Sequence, residues 1–315
     1  MDQLFDTFPD HQPSLVSESA DGWTFELCWT SDPQTFVDPG VADTAARVYG
    51  LRLPNLGGYR EVTRWGVRDV VFSMVHAWAL VAPALAVQRR GGKPLAWVIH
   101  LDDHTDLMAP AVEPGGRLGL LRDRIFGIDI DVADPASITA AVERGTVSKG
   151  NFLTAYLLAY PGCQVVHVGE RLAERSFALQ PRKEAVDLGG VRFPRTALPL
   201  TRDPEPGTPA FRQTRTLPPE LPSQGEGGVW LDIDLDYFCN RYDGDSDLRE
   251  RTAAPGETGA VMARVWRFLA ELGHVRWLGQ VEAVSVAVSP GFFPADHWAE
   301  VVPALREGLQ KVLGE

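Results

Sequence analysis

The amino-acid sequence predicts an α/β fold with a mostly parallel sheet that helices cover on both faces. Two observations lead to this fold class. Strand-like segments alternate with helical segments along the chain, and the strand-like segments are continuously apolar, as strands buried on both faces are. The length of 315 residues, the 44% hydrophobic content and the 9 tryptophans provide for a large core. We therefore predict a single domain over residues 1–315.

The elements can be assigned in chain order. Residues 1–60 mix Pro, Gly, Asp and aromatic residues, which predicts an irregular or partly stranded section. The long apolar run that follows predicts a helix at 67–87. Short apolar runs rich in β-branched residues then predict strands, and longer runs with helical spacing of apolar residues predict helices. The predicted strands cover 95–101, 125–130, 164–168, 229–233 and 283–288, and the predicted helices cover 135–144, 150–160, 257–273 and 295–313. Residues 193–228 carry much of the proline, which predicts a long surface excursion.

Composition excludes several classes of protein. The net charge of −12 and the pI near 5.1 argue against a nucleic-acid partner and favour cationic ligands. Residues 70–87 are long enough to suggest a membrane span, but His76 and Pro83 interrupt them, so we expect a buried helix. The 3 cysteines lie far apart in the sequence and form no C-x-x-C pair. The first residues lack the apolar stretch of a signal peptide. We expect a cytoplasmic protein with no membrane contact, and a homo-oligomer is possible.

Two acidic clusters follow predicted strands. Asp102, His104 and Asp106 come after the strand at 95–101, and Asp232, Asp234 and Asp236 end and follow the strand at 229–233. If the strand pleat continues, alternate side chains point the same way, and in parallel sheets ligands lie at the carboxyl ends of strands. Carboxylates with a few imidazoles suit a cation such as Mn²⁺, and carboxylates can bridge two ions. The sequence therefore predicts a metal site there.

The string D-x-H-x-D after one strand and D-x-D after a later one, with an upstream histidine, resembles the arginase/agmatinase ureohydrolases. His76 precedes Asp102 by 26 residues, which fits the family's spacing of somewhat over twenty residues. The resemblance implies an arginase-like three-layer αβα fold, a metal site at the strand ends, and two Mn²⁺ ions that activate a water for attack on a guanidinium carbon. Asp106 would also orient that water. The implied ligands are His76, Asp102, Asp106 and Asp232 for one ion, and Asp102, His104, Asp232 and Asp234 for the other.

A second string competes with the later cluster. Residues 129–135, DIDVADP, match the family's D-x-D-x-x-D-P string more closely than 232–236 do. They follow Asp102 by only 27 residues, whereas the family places its D-x-D about a hundred residues later, nearer the 130 that separate Asp102 from Asp232. We therefore assign 232–236 to the metal site and interpret Asp134 as a helix N-cap.

The strings HLDDHTD, SKGNFLTAYL and LDIDLDYF are similar to an atypical branch of this superfamily. Its characterised members are peptide arginases, which convert arginine in ribosomally made precursor peptides to ornithine and urea. Typical arginases also carry a later glutamate that pairs with the guanidinium, and Ala287 stands at that position here. The resemblance thus points to an arginine-containing peptide rather than free arginine.

Other residues must then recognise the guanidinium and donate a proton to the leaving group. For the guanidinium the candidates are Asp103, Asp236 and the amide of Asn151. For the proton the candidates are His100 and, if its loop folds over the site, His297.

Other functions remain open at this point. One is a ureohydrolase of free arginine or agmatine. Another is a deacetylase-like amidohydrolase, which would need adjacent histidines that the sequence lacks. A third, of a different class, is a non-catalytic, metal-dependent module that binds basic peptides through its acidic surface.

Overall fold

The computed structural model describes residues 7–19, 22–202, 210–222, 227–241 and 257–314. The strands are β1 His11–Ser19, β2 Gly22–Trp29, β3 Arg60–Trp65, β4 Arg68–Ser73, β5 Trp97–Leu101, β6 Val112–Pro114, β7 Leu120–Asp123, β8 Asp129–Asp131, β9 Gln164–Val168, β10 Arg175–Leu179, β11 Arg182–Leu188, β12 Val191–Ala197, β13 Leu200–Arg202, β14 Ala210–Thr214, β15 Val229–Asp234 and β16 Val281–Ala287. The α-helices are α1 Val41–Thr44, α2 Leu53–Leu56, α3 Val81–Arg89, α4 Pro135–Glu143, α5 Phe152–Ala159, α6 Thr258–Leu272 and α7 Trp298–Leu313.

Nine strands form one large mixed sheet in the order β13-β10-β14-β9-β5-β15-β16-β4-β3. The six strands from β14 to β4 are parallel to one another, and the strands outside them, β10, β13 and β3, pair antiparallel. Three smaller antiparallel sheets pair β1 with β2, β11 with β12, and β6 with β7 and β8. The predicted α/β class and the mostly parallel sheet are confirmed.

Helices cover both faces of the central strands. In β15, Leu231 and Ile233 pack in the core cluster that contains the apolar side chains of α6 and α7. Trp230 points to the opposite face and packs in the cluster that contains the apolar side chains of α3, α4 and α5. Since side chains alternate along a strand, one strand supplies both cores. This arrangement is compatible with three layers.

The predicted helix at 67–87 is wrong in its first part. Residues 68–73 form β4, a strand between β16 and β3, and helical structure begins only with a 3₁₀ segment at His76–Leu80 that continues into α3. A short apolar run cannot be assigned to a buried strand or a buried helix by periodicity alone, and the run Val70–Phe72 is rich in strand-forming residues. Within the described ranges, no helix is both long and apolar enough to cross a bilayer.

Two further predictions need correction. The strand predicted at 125–130 is confined to Asp129–Asp131, because the chain turns before it and Gly127 adopts φ 68°. The described parts of 193–228 are not one long surface loop, since β14 lies inside the large sheet, parallel to β9, and only residues 215–222 and 227–228 between β14 and β15 are irregular. Residues 203–209 and 223–226 of that segment lie outside the described residues. Proline content misled here because proline is excluded only from positions that donate to a ladder.

The remaining predicted elements are present with small differences at their ends. These are the strands at 95–101, 164–168, 229–233 and 283–288 and the helices at 135–144, 150–160, 257–273 and 295–313. The described part of residues 1–60 contains a β-hairpin and short helices, in agreement with a partly stranded section. This section is joined to the late part of the chain by Asp38, whose carboxylate accepts hydrogen bonds from the backbone N–H groups of Gly40 and Ala295.

Candidate metal centre

The two acidic clusters lie at the carboxyl ends of neighbouring parallel strands. β5 and β15 pair with Asp232 opposite His100, so the residues that end or follow them meet at one edge of the sheet. Asp232 and Asp234 follow Trp230 at intervals of two, and they share its face of the sheet. The predicted position of these clusters at the strand ends is confirmed.

His76 lies at the centre of the cluster. It begins the 3₁₀ segment after β4, and its imidazole is almost fully buried. Its Nδ1 lies 2.9 Å from Asp234 Oδ2, 3.0 Å from Asp106 Oδ2 and 3.3 Å from Asp102 Oδ2. Its Nε2 lies 3.1 Å from Asp232 Oδ2. One imidazole therefore contacts four carboxylates from both acidic clusters.

Two more histidines join the carboxylates. The buried His100 places Nδ1 2.8 Å from Asp232 Oδ2 and Nε2 3.5 Å from Asp102 Oδ2. His104 places Nδ1 2.9 Å from Asp236 Oδ2 and 3.4 Å from Asp102 Oδ1. Asp102 thus contacts all three imidazoles and is the shared member of the site.

The sequence suggested that the strand pleat continues beyond β5. The loop after β5 instead turns to reach the cluster. β5 ends at Leu101, and the His104 backbone N–H donates to Asp102 Oδ1 at 2.6 Å. Asp106 adopts φ 49°. A second residue at the site, Ser289, adopts φ 52°. Positive φ costs energy in residues other than glycine, and such strain concentrates at functional sites.

Charges in the cluster shift one another's protonation. Burial alone would lower the pKa of His76, but the surrounding carboxylates outweigh it and hold that pKa well above its ordinary value. Burial alone would raise the pKa of Asp232, but His76 and His100 bring it to about 2. Burial, together with the charge of Asp102, raises the pKa of Asp106 to about 7. The protein alone therefore balances these carboxylates with protonated imidazoles, a role that a divalent cation would assume.

Three buried polar atoms indicate that the cluster suits a cation. Asp102 Oδ2, Asp106 Oδ2 and His100 Nε2 make no hydrogen bond of normal geometry to a described residue, although each lies within 3.5 Å of an imidazole or carboxylate atom of the cluster. Buried polar atoms are nearly always paired, so such a group within one cluster calls for an explanation. Two sets place one ligand atom of each member within 4.8 Å of the others, namely His76, His100 and Asp102, and Asp102, His104 and Asp236. These His and Asp groups could hold a metal ion, and the residues present fit one.

Serines that the sequence reasoning missed hold two of the carboxylates. Ser285 in β16 donates to Asp232 Oδ1 at 2.5 Å and accepts from the Trp230 indole N–H at 2.6 Å. Ser289 donates to Asp234 Oδ2. Such partners fix the orientation of ligand side chains. The signal was present in the sequence, since both serines interrupt the otherwise apolar string SVAVSP.

His167 supports the site from β9. Burial lowers its pKa to about 3, so the ring is neutral at neutral pH, and its Nε2 lies 3.0 Å from the Asp102 carbonyl oxygen. A neutral ring donates this hydrogen bond and fixes the backbone where the metal-site loop leaves the sheet. His167 therefore has a structural role.

A cavity of about 610 Å³ opens onto the cluster. Its walls include Asp102, His104, Asp106, Asp234 and Asp236. Asp103 also lines this cavity, where its backbone N–H donates to Asp236 Oδ1 and its Oδ2 accepts from the Asn240 amide. Both carboxylates predicted to recognise a guanidinium therefore face the space beside the cluster.

His100 does not line this cavity, although the sequence made it a candidate proton donor. Its side chain is 0% exposed and contacts carboxylates on both sides. We infer that His100 positions Asp232 and Asp102 and does not meet a substrate. His100 is also one of the three residues, with His76 and Asp102, that could hold a metal ion, which the sequence did not predict.

Asn151 and His297 are not brought to the cluster. The Asn151 side chain accepts from the Ser148 backbone N–H at 2.8 Å, so it closes the loop before α5, and it makes no side-chain cap bond although it occupies the N-cap position. His297 has Nδ1 3.0 Å from the Thr258 hydroxyl and Nε2 3.3 Å from the Arg241 guanidinium. Neither lines the cavity over the cluster, so the substrate contacts predicted for both are not supported.

Residues 129–135 lie apart from the cluster. Asp129 and Asp131 pair with Arg122 and Arg117 at the surface. Asp134 caps α4, with Oδ1 accepting from the Ala136 backbone N–H at 3.0 Å, and Pro135 is the first helical residue. The predicted N-cap is confirmed.

Comparisons with protein-family models and with curated proteins gave no match to this chain.

Proposed function

We propose that this protein is a metal-dependent amidinohydrolase that releases urea from the guanidinium of arginine, with arginine in a peptide as the substrate. The observation that carries the proposal is the convergence of His76, His104 and the aspartates of both acidic clusters on one cavity. Within it, Asp102 Oδ2 and Asp106 Oδ2 make no hydrogen bond of normal geometry to a described residue. A cavity lined by so many carboxylates favours a cationic substrate as well as a cation cofactor.

Two Mn²⁺ ions are the proposed cofactor. Oxygen and imidazole ligands favour this kind of cation over thiolate-binding metals. When bound, the ions would lower the pKa of a water and supply a nucleophile at neutral pH. The residues that would hold these ions are His76, Asp102, His104, Asp106, Asp232 and Asp234.

The remaining side chains have separate tasks. His100 contacts Asp232 Oδ2 and Ser285 donates to Asp232 Oδ1, so that both oxygens of this carboxylate are held in place. Asp236 holds His104 Nδ1 at 2.9 Å and presents its carboxylate to the cavity. We assign guanidinium binding to Asp103 and Asp236, because a buried guanidinium needs an anionic partner and Ala287 provides none.

The proposal is tested by urea release. The Mn²⁺-loaded protein is incubated with free arginine, agmatine, an arginine-containing peptide and an acetyl-lysine peptide, and urea and acetate are measured. We expect urea from the arginine peptide and a much smaller rate from free arginine. Urea from none of the substrates, with acetate from the acetyl-lysine peptide, would contradict the proposal and favour a deacetylase-like enzyme.

A further inference from the structure

One lysine lies among the carboxylates of the cavity over the metal centre. Lys149 lines this cavity, and the other ionisable residues of its described walls are two histidines and five aspartates. The proposed function gives these aspartates a task, because they bind cations or face a guanidinium. It gives no task to Lys149, whose charge opposes both roles. The presence of this ammonium beside an acidic site therefore needs its own explanation.

The Lys149 ammonium is open to solvent. In the part of the chain that the structure describes, it makes no ion pair and no hydrogen bond, and it is not one of the enclosed polar atoms. It lies 5.0 Å from the centre of the Phe292 ring. The Lys149 backbone N–H donates to Asp10 Oδ2 at 2.7 Å, and the ammonium acts on Asp10 without forming an ion pair. The backbone is thus anchored, while the charged end of the side chain remains accessible to an anion.

The ammonium lies close enough to the metal centre to meet a group next to the reacting arginine. The Phe292 ring that it contacts is also 5.1 Å, between centroids, from the His104 ring, so one aromatic ring separates Lys149 from the cluster. His104 in turn contacts Asp236, a proposed partner of the guanidinium. An extended arginine side chain spans about 6 Å from Cα to the guanidinium carbon, and the next Cα is about 3.8 Å further along the chain. A carboxylate on the reacting arginine or on its neighbour can therefore reach Lys149.

We propose that Lys149 binds a carboxylate of the peptide substrate, carried by an acidic side chain next to the reacting arginine or by the α-carboxylate of that arginine. This inference rests on the proposed function, since it describes the substrate of the same site. The five aspartates of the cavity and the net charge of −12 repel a carboxylate on the substrate. Lys149 supplies the local attraction that offsets this repulsion. It selects an arginine accompanied by a carboxylate over one with neutral neighbours.

The first test compares peptides that differ in one charge. Aspartate or asparagine is placed before arginine in one series and after it in another, and a third series compares a free with an amidated C-terminal arginine. KM is measured by urea release with the Mn²⁺-loaded protein. In a second set citrulline replaces arginine, and Kd is measured by calorimetry. In one series, which identifies the source of the carboxylate, we expect the carboxylate to lower KM and Kd about fivefold, the upper range for a solvent-exposed ion pair. Added salt should reduce this preference.

Variants of Lys149 test the contact itself. Lys149→Gln keeps the backbone bond to Asp10 and should abolish the preference for the carboxylate. Lys149→Glu should reverse the preference, so that a peptide with lysine at the same position has a lower KM than one with aspartate, an effect that a purely structural role would not produce. Lys311→Gln is the matched control, because Lys311 is exposed on α7 and lines a different cavity, and it should keep the preference of the unmodified protein.

The outcomes separate this proposal from the proposed function. Urea release with equal KM for the charged and neutral members of all three series would overturn the role of Lys149 and leave the proposed function standing. A carboxylate preference that Lys149→Gln retains would also overturn that role. A preference in the citrulline set that Lys149→Gln abolishes, without urea from any peptide, would overturn the proposed function and leave Lys149 as a carboxylate-binding residue. Neither urea nor measurable binding would overturn both.

Discussion

The tripeptide Asp-Ile-Asp occurs twice in this chain, at 129–131 and at 232–234, and the two copies have opposite environments. In the first copy, Asp129 and Asp131 lie on a three-residue strand of a small antiparallel sheet and pair with surface arginines. In the second copy, Asp232 and Asp234 are buried at the end of a central parallel strand and contact His76. Identical tripeptide sequences can therefore have different chemical environments.

The difference comes from the strand that carries each copy. A strand end between parallel neighbours receives side chains from several crossovers, whereas a short antiparallel strand at the surface faces water. The buried copy needs positive partners and the exposed copy does not. This contrast can be tested by matched changes in the two copies.

The largest expected effect is on Asp232. Asp232→Asn should weaken Mn²⁺ binding roughly 100-fold or more, because loss of a partner outside the ligand set already costs about 10–100-fold. Bound metal is measured by elemental analysis after dialysis, and circular dichroism checks that the variant folds. The matched change Asp129→Asn should leave the bound metal unchanged. Loss of metal from Asp129→Asn but not from Asp232→Asn would transfer the site to 129–135.

A smaller effect is expected from the serines beside each copy. Ser285→Ala removes the hydroxyl that donates to Asp232 and should weaken Mn²⁺ binding about 10-fold to 100-fold. Ser137→Ala is the matched control, because the Ser137 hydroxyl accepts from the Asp131 backbone N–H at 3.0 Å in the other copy. Metal titration gives the two affinities. Equal affinities would show that the Ser285 contact does not orient a ligand.

The third effect concerns stability and not metal. Asp134→Ala removes the N-cap of α4 and should lower the free energy of unfolding by about 1 kcal/mol, with metal affinity unchanged. Urea denaturation measures the change. Thr139→Ala in the interior of the same helix is the control, and it should not lower the stability because alanine is the stronger helix former. A shift in metal affinity would argue that 129–135 reaches the metal site.

The smallest effect is expected from the surface pairs. The Arg122 and Asp129 side chains are 40% and 56% exposed, and exposed ion pairs contribute about 0–1 kcal/mol. Asp129→Asn should change the free energy of unfolding by less than about 1 kcal/mol, and the change should shrink as salt is added. Urea denaturation at low and high salt checks this. A larger loss would mean that the exposed copy has a structural role that its contacts do not show.

Much of the fold and of the metal cluster could be predicted from local patterns. The strands before both acidic clusters and the N-cap at Asp134 were predicted correctly because each depends on a few adjacent residues. The assignment of residues 68–73 to a helix failed because a buried strand and a buried helix can have the same apolar letters. Only the tertiary structure distinguishes the two, because β4 pairs with β3 and β16 in the large sheet.

Contacts between distant segments account for the other differences. His100 meets Asp232 across 132 residues, and Ser285 meets the same carboxylate across 53. His297 looked available as a site residue, but Thr258 and Arg241 engage its ring. No local pattern reports such pairings, because they depend on the order of strands in the sheet.

The sequence by itself determined the histidines and aspartates available at the strand ends and the chain's overall α/β class, because residue chemistry and hydrophobic pattern are local properties. Only the tertiary structure decided which Asp-Ile-Asp is buried and which histidines face it. The physical reason is that burial and close approach of charges are set by parallel strand order and by packing between segments far apart in the chain.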